Sequence, residues 1–213
     1  MGFLKKCKEF VEYVVNGYRK IYLFFKSKIN KETRRIVILG SQISGKTELW
    51  CRLQGIPNQE NGGTSNEPIE WFELGRKEDG TPVFVLATRD IGGGDKWVYK
   101  YDDLINEDGT YIFYLINLER FEEEKEGNLD RLRKIASIII SKKFEKCGLR
   151  LVATFYDKYG KSKKEAQAEV QSMFREIKML KKKATEIPVE VINTTNDNDV
   201  EIIKKEILKS LES

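Results

Sequence analysis

Apolar residues recur at steps of three and four near the start of the chain, at Phe3, Cys7, Phe10, Val14, Tyr18, Ile21 and Phe25. That spacing places them on one stripe of a helix. Leu4, Val11, Val15, Tyr22 and Ile29 widen the stripe. Lys5, Glu12, Arg19 and Lys26, seven apart, form a charged spine away from it. The pattern predicts an amphipathic helix through residues 3–29, with a break or bend at Gly17 after Asn16, and a linker over 30–34. No uncharged run approaches the ~18 residues that a bilayer span needs. An uninterrupted apolar core with a small-residue cleavage site, as in a signal peptide, is also missing.

The periodicity then changes. Arg35-Ile36-Val37-Ile38-Leu39 is a short β-branched run, and Glu48–Leu53 reads as helix. A polar, glycine-containing stretch from Gly55 to Pro68 follows. Two strand patterns, Ile69–Leu74 and Pro82–Thr88, flank a hairpin signal at Asp79-Gly80. The triple glycine Gly92-Gly93-Gly94 leads into a short helix through Leu104. Tyr111–Ile116 predicts a buried strand, residues 118–146 a long charged helix, and Leu149–Thr154 another strand. A lysine-rich helix over 162–184, a last strand at Pro188–Ile192 and a closing helix over 197–212 complete the series. Strands alternating with helices predict an α/β fold: a mostly parallel six-stranded sheet with one antiparallel edge strand and helices on both faces. Ligands on such sheets sit at the carboxyl ends of the strands. The chain divides into a helical leader, 1–34, and one domain, 35–213.

Composition narrows the chemistry. The chain has no histidine, so His-based triads, His metal sites and imidazole bases are excluded. Its three cysteines, Cys7, Cys51 and Cys147, are widely spaced and odd in number, which fits a reducing compartment rather than a disulfide framework. Residues 1–35 hold ten Lys/Arg against three Glu, a net +7, while the remainder is net −3. A slightly acidic body behind a basic leader argues against nucleic acid as a partner.

Gly40-Ser41-Gln42-Ile43-Ser44-Gly45-Lys46-Thr47 is an unbroken match to G-x-x-x-x-G-K-[ST]. Such a turn points backbone N–H groups at a phosphate chain, and the helix that follows adds its positive end. Lys46 would reach the terminal phosphates, and the Thr47 hydroxyl would ligand Mg2+. Chance supplies this string in roughly one chain in a hundred of this size, and the strand before and helix after lower that figure. Nucleoside-phosphate binding follows, with the base left as a separate question.

With this element order and this loop, residues 35–212 resemble a Ras-superfamily small GTPase of the three-layer P-loop type, and within it the ADP-ribosylation-factor (Arf) branch. Asp90-Ile91-Gly92-Gly93 matches the D-x-x-G motif, and Asp90-Ile91-Gly92-Gly93-Gly94-Asp95-Lys96 looks like the Arf form D-V-G-G-Q-D-K. The resemblance implies that Asp90 holds Mg2+, largely through water, and that the Gly93 N–H meets the γ-phosphate. Thr64, 18 residues after Lys46, stands where the family places a Mg2+ ligand, although an ordinary loop threonine is the competing reading. Lys46, Thr64 and Gly93 would carry the chemistry, and Thr47, Thr64 and Asp90 the metal. Thr154-Phe155-Tyr156-Asp157 corresponds to [NT]-K-x-D, so Asp157 would accept from guanine. Asn193-Thr194-Thr195 corresponds to the last base motif, where the Thr194 N–H would meet guanine O6. The implied ligands are GTP, GDP and Mg2+. The implied partners are an exchange factor, an activating protein and effectors.

Two departures matter. Phe155 replaces the lysine whose stem lies on the base; its ring could stack there instead, or be a core residue at a strand end. Gly94 stands where many members carry the glutamine that orients the attacking water, which implies slow unaided hydrolysis. The leader fits the Arf plan, in which such a helix lies in a membrane interface. Packing on a partner protein or back on its own domain compete with that reading. Gly2 begins a myristoylation-type start that Lys6 leaves incomplete. The expectation is a cytoplasmic switch, peripheral on the cytosolic face of a membrane. Its rivals are a pseudo-GTPase that binds without hydrolysis, a membrane tether, and a P-loop kinase, against which stands the lack of an arginine-rich lid.

Overall fold

A computed structural model of the chain describes residues 32–58, 66–177 and 187–209. The expected leader helix, Thr64 and the lysine run at 181–183 lie outside the described residues. The first strand, β1 (Glu32–Gly40), begins three residues before Arg35, inside the stretch expected as linker. Then come α1 (Lys46–Gln54), β2 (Asn66–Ile69), β3 (Phe72–Arg76), β4 (Pro82–Val85) and β5 (Thr88–Ile91). A 3-10 turn at Asp95–Lys100 runs into α2 (Tyr101–Leu104). After it follow β6 (Thr110–Asn117), α3 (Phe121–Ser141), β7 (Gly148–Thr154), α4 (Lys163–Arg175), β8 (Val189–Val191) and α5 (Asp197–Lys209).

Six strands form one sheet in the order β3-β4-β1-β6-β7-β8. All neighbours are parallel except β3 with β4, so β3 is the antiparallel edge strand. Alternation along the central strands sorts the core onto two faces. Val37 and Leu39 of β1, with Ile112, Tyr114 and Ile116 of β6, pack with Leu129, Leu132, Ile135 and Ala136 of α3 and with Val170 and Phe174 of α4. Ile36 and Ile38, with Phe113 and Leu115, pack with Leu49, Trp50 and Leu53 of α1 and with Val200, Ile203 and Ile207 of α5. Strands buried on both sides explain why β1 and β6 read as continuous apolar runs.

The two strand patterns around Asp79-Gly80 are finer than expected. Asn66 faces Ile91 and Ile69 faces Thr88. Three residues on, Phe72 faces Val85, which continues the same register. A single long hairpin thus runs from Asn66 to Ile91, interrupted at Glu70-Trp71 and Leu86-Ala87 and bulged between Glu73 and Gly75. On its other side β4 continues its ladder with β1 one residue further, the Leu86 N–H donating to the Arg34 carbonyl at 2.9 Å. At the tip Gly80 takes a positive φ of 83°, and the Thr81 N–H donates to Asp79 Oδ1 at 2.9 Å. At its other end the hairpin delivers Asp90 to the carboxyl edge of the sheet.

Candidate functional site

The turn after β1 has no room for side chains at its two ends. A Cβ on Gly40 would lie 2.3 Å from the Leu115 carbonyl oxygen, so β6 presses directly on the turn. Gly45 takes a φ of 85°, and a Cβ there would meet Thr194 Oγ1 at 3.0 Å. Ile43, β-branched, is held at φ 59° with its side chain exposed, a conformation that costs on the order of 1–3 kcal/mol and marks a shape imposed by its surroundings. Those surroundings can be named. Asn117, buried at the end of β6, donates through Nδ2 to the Ile43 carbonyl at 2.9 Å and accepts from the Glu119 N–H at 2.9 Å. The Thr154 hydroxyl, at the end of β7, lies 3.0 Å from the Ser44 carbonyl and 3.2 Å from that of Ile116.

Lys46 opens α1 from inside this turn. It is buried, and its Nζ donates to the Ser41 carbonyl at 2.7 Å and lies 3.4 Å from Ser44 Oγ. Burial pushes its ammonium down to about 8, against the pull of the Asp90 carboxylate. One residue on, the Thr47 hydroxyl donates to Asp90 Oδ2 at 2.6 Å, across 43 residues of sequence. Ser41 Oγ is buried in the same turn with no hydrogen-bond partner among the described residues. An ammonium, a hydroxyl, a carboxylate and an unpartnered hydroxyl therefore converge on one concave backbone. Hydroxyl and carboxylate oxygens suit Mg2+, which binds through one or two protein oxygens and completes its shell with phosphate and water.

The loop after β5 closes over this turn. A Cβ on Gly93 would lie 2.1 Å from Ser41 C and 2.2 Å from Gln42 N, so only glycine permits the contact. Around Gly94, in contrast, nothing lies within 4 Å of where a Cβ would be. The chain then runs through Asp95, whose Oδ1 accepts from Arg131 Nη2 at 2.6 Å.

At the far side of the turn stand the residues expected to meet the base. Phe155 is half-buried at φ 57°, with Lys158 Nζ 5.5 Å from its ring centre. Tyr156 and Tyr159, rather than Phe155, pack against the α3/α4 core. Asp157 is exposed on the 3-10 turn that follows. The 193–195 turn is fixed from within: Asn193 Oδ1 accepts from the Thr195 N–H at 3.0 Å and from its hydroxyl at 2.7 Å. Asp199 Oδ2 accepts from the Asn193 N–H at 2.7 Å. Thr194 is buried against Gly45.

The expected site residues within the described segments thus lie toward one end of the sheet, at the carboxyl ends of β1, β5, β7 and β8, on the turns that follow them and at the start of α1. Sequence reasoning missed Asn117 and Arg131. Asn117 left a trace, as a polar residue directly after an apolar strand. Arg131 is one charge among many on a charged helix.

No protein-family model matches the chain, and no curated protein sequence does. Solved structures do. One is a chain from the structure of the mammalian SRP receptor, with a TM-score of 0.63 and 17% sequence identity. The match covers 83% of the present chain and 100% of the other. At that identity the likeness establishes a shared fold. The shared architecture is a three-layer α/β sandwich of the P-loop type, a mostly parallel six-stranded sheet with helices on both faces.

Proposed function

We propose that the chain is a guanine-nucleotide switch of the Arf-like kind, slow to hydrolyse GTP. The observation that carries this reading is the meeting of Thr47 and Asp90 at 2.6 Å beside buried Lys46, with Gly93 lying against the Ser41–Gln42 peptide. Phosphate-loop lysine, metal-type oxygens and a closing glycine loop are the parts that a terminal phosphate needs in one place. Thr47 and Asp90 would hold Mg2+, joined by Thr64, and the ion would neutralise charge on the terminal phosphates. Asp157, Thr194 and the ring of Phe155 would choose guanine.

Gly94 offers no side chain to orient water, which supports a long-lived triphosphate state. It equally supports a second reading, a pseudo-GTPase that holds nucleotide without turnover. Product formed from GTP over a long single-turnover incubation separates the two. The basic leader would place the protein on an anionic, cytosolic membrane face. Co-sedimentation with anionic vesicles, with and without residues 1–30, tests that placement.

Titration calorimetry with GTP, GDP and ATP in Mg2+ tests the main reading. Binding of both guanine nucleotides and much weaker binding of ATP is the expected result. Equal affinity for ATP would overturn the base assignment, and no binding at all would overturn the whole reading.

A further inference from the structure

Helix α3 carries a polar strip inside the protein. Glu124, Asn128 and Arg131 follow one another at steps of four and three, on one side of the helix. The buried Tyr114 hydroxyl donates to Asn128 Oδ1 at 2.9 Å. Three atoms of the strip, Glu124 Oε2, Asn128 Nδ2 and Arg131 Nε, are buried with no hydrogen-bond partner among the described residues. Each residue also has a partner through another atom, Arg131 with the Tyr114 hydroxyl and Glu124 with Arg120, so the strip is a network that ties α3 to β6 and keeps unused polar capacity. Its direction suggests a further role. Gly127 gives way to the guanidinium, because a Cβ there would lie 2.9 Å from Arg131 Nη1. The charges of Arg131 and Glu124 are both felt at Lys46. The Arg131 side chain is 10% exposed, while its partner Asp95 is 91% exposed. The cation is the fixed member, and the carboxylate belongs to the loop that it holds.

We propose that Arg131 is a positioning residue: through Asp95 it holds the 92–95 loop over the phosphate turn, and so sets how strongly the site prefers a nucleoside triphosphate to a diphosphate. The inference rests on the nucleotide reading above. A loop already held in place loses less entropy when it closes on a ligand. On the nucleotide reading Gly93 would meet the terminal phosphate and no other, so the pair would contribute to the triphosphate complex and be silent in the diphosphate one.

The test uses the full chain, with fluorescent GDP and a fluorescent non-hydrolysable GTP analogue in Mg2+. Asp95→Asn and Arg131→Met should each lower the triphosphate-to-diphosphate affinity ratio about tenfold, with GDP affinity unchanged. The double variant should be no worse than either single one, and Arg131→Lys should retain part of the preference. An unchanged ratio, or equal loss of both affinities, overturns the proposal. Asp95→Asn guards against misfolding as an explanation, because that side chain stands in solvent. Wild-type protein that binds neither nucleotide would overturn the reading of the site, and this inference with it.

Discussion

Lys46 is held by a carbonyl and a hydroxyl oxygen, a modest arrangement for a buried ammonium, and burial lowers it to about 8. A phosphate anion beside it favours the charged form. Above pH 8, nucleotide binding should therefore take up protons, read as a heat that varies with the ionisation enthalpy of the buffer. Lys46→Ala should abolish both the proton uptake and tight binding. The same shift bears on stability. The unfolded chain holds this proton up to the ordinary 10.5 and the folded one only to about 8. The contribution is therefore present above 10.5 and lost as pH falls through 8. Gly93→Ala places a methyl group 2.1 Å from the Ser41 backbone. The loop must lift, and triphosphate affinity should fall at least tenfold, with GDP binding nearly untouched, in the same fluorescence assay. At this scale the phosphate motif was legible because its spacing is itself the geometry. Asn117 and Arg131 were not, because their roles depend on partners 74 and 36 residues away.

Between elements, the joint that responds most to pH is the one tying β7 and β8 to α5. Arg150 Nη1 pairs with Glu190 Oε1 at 3.0 Å and also with Glu206. Burial raises Glu206 to about 7, outweighing the pull of Arg150. The folded state therefore keeps a proton that the unfolded state releases near 4.5. This contribution to stability is complete below pH 4.5 and is lost as pH rises through 7. Because Glu206 is only half-buried and solvent screens it, the loss should be on the order of 1 kcal/mol. Urea midpoints at pH 5 and pH 8 should show it, and Glu206→Gln should flatten the difference. The apolar runs that forecast β1, β6 and β7 were legible because those strands are buried on both faces. The hairpin was read less well. Its pattern gave two strands, whereas the structure divides the same stretch into four, with gaps at Glu70-Trp71 and Leu86-Ala87.

At the scale of the whole molecule, the α/β class and the antiparallel edge followed from element order, whereas the spatial order of strands came only from the structure. That order places β1 between β4 and β6. The turn that follows β1 is shaped by Leu115 of β6, by Asn117 at its end and by Thr154 at the end of β7. Such long-range pairings form late and slowly. Consequently, a ribosome that has released only the first hundred residues has made the whole phosphate motif and none of its mould. Affinity for nucleotide should emerge abruptly during synthesis, once Thr194, which packs on Gly45, has been released. Stalled nascent chains of increasing length, probed with a fluorescent guanine nucleotide, should stay dark until that point.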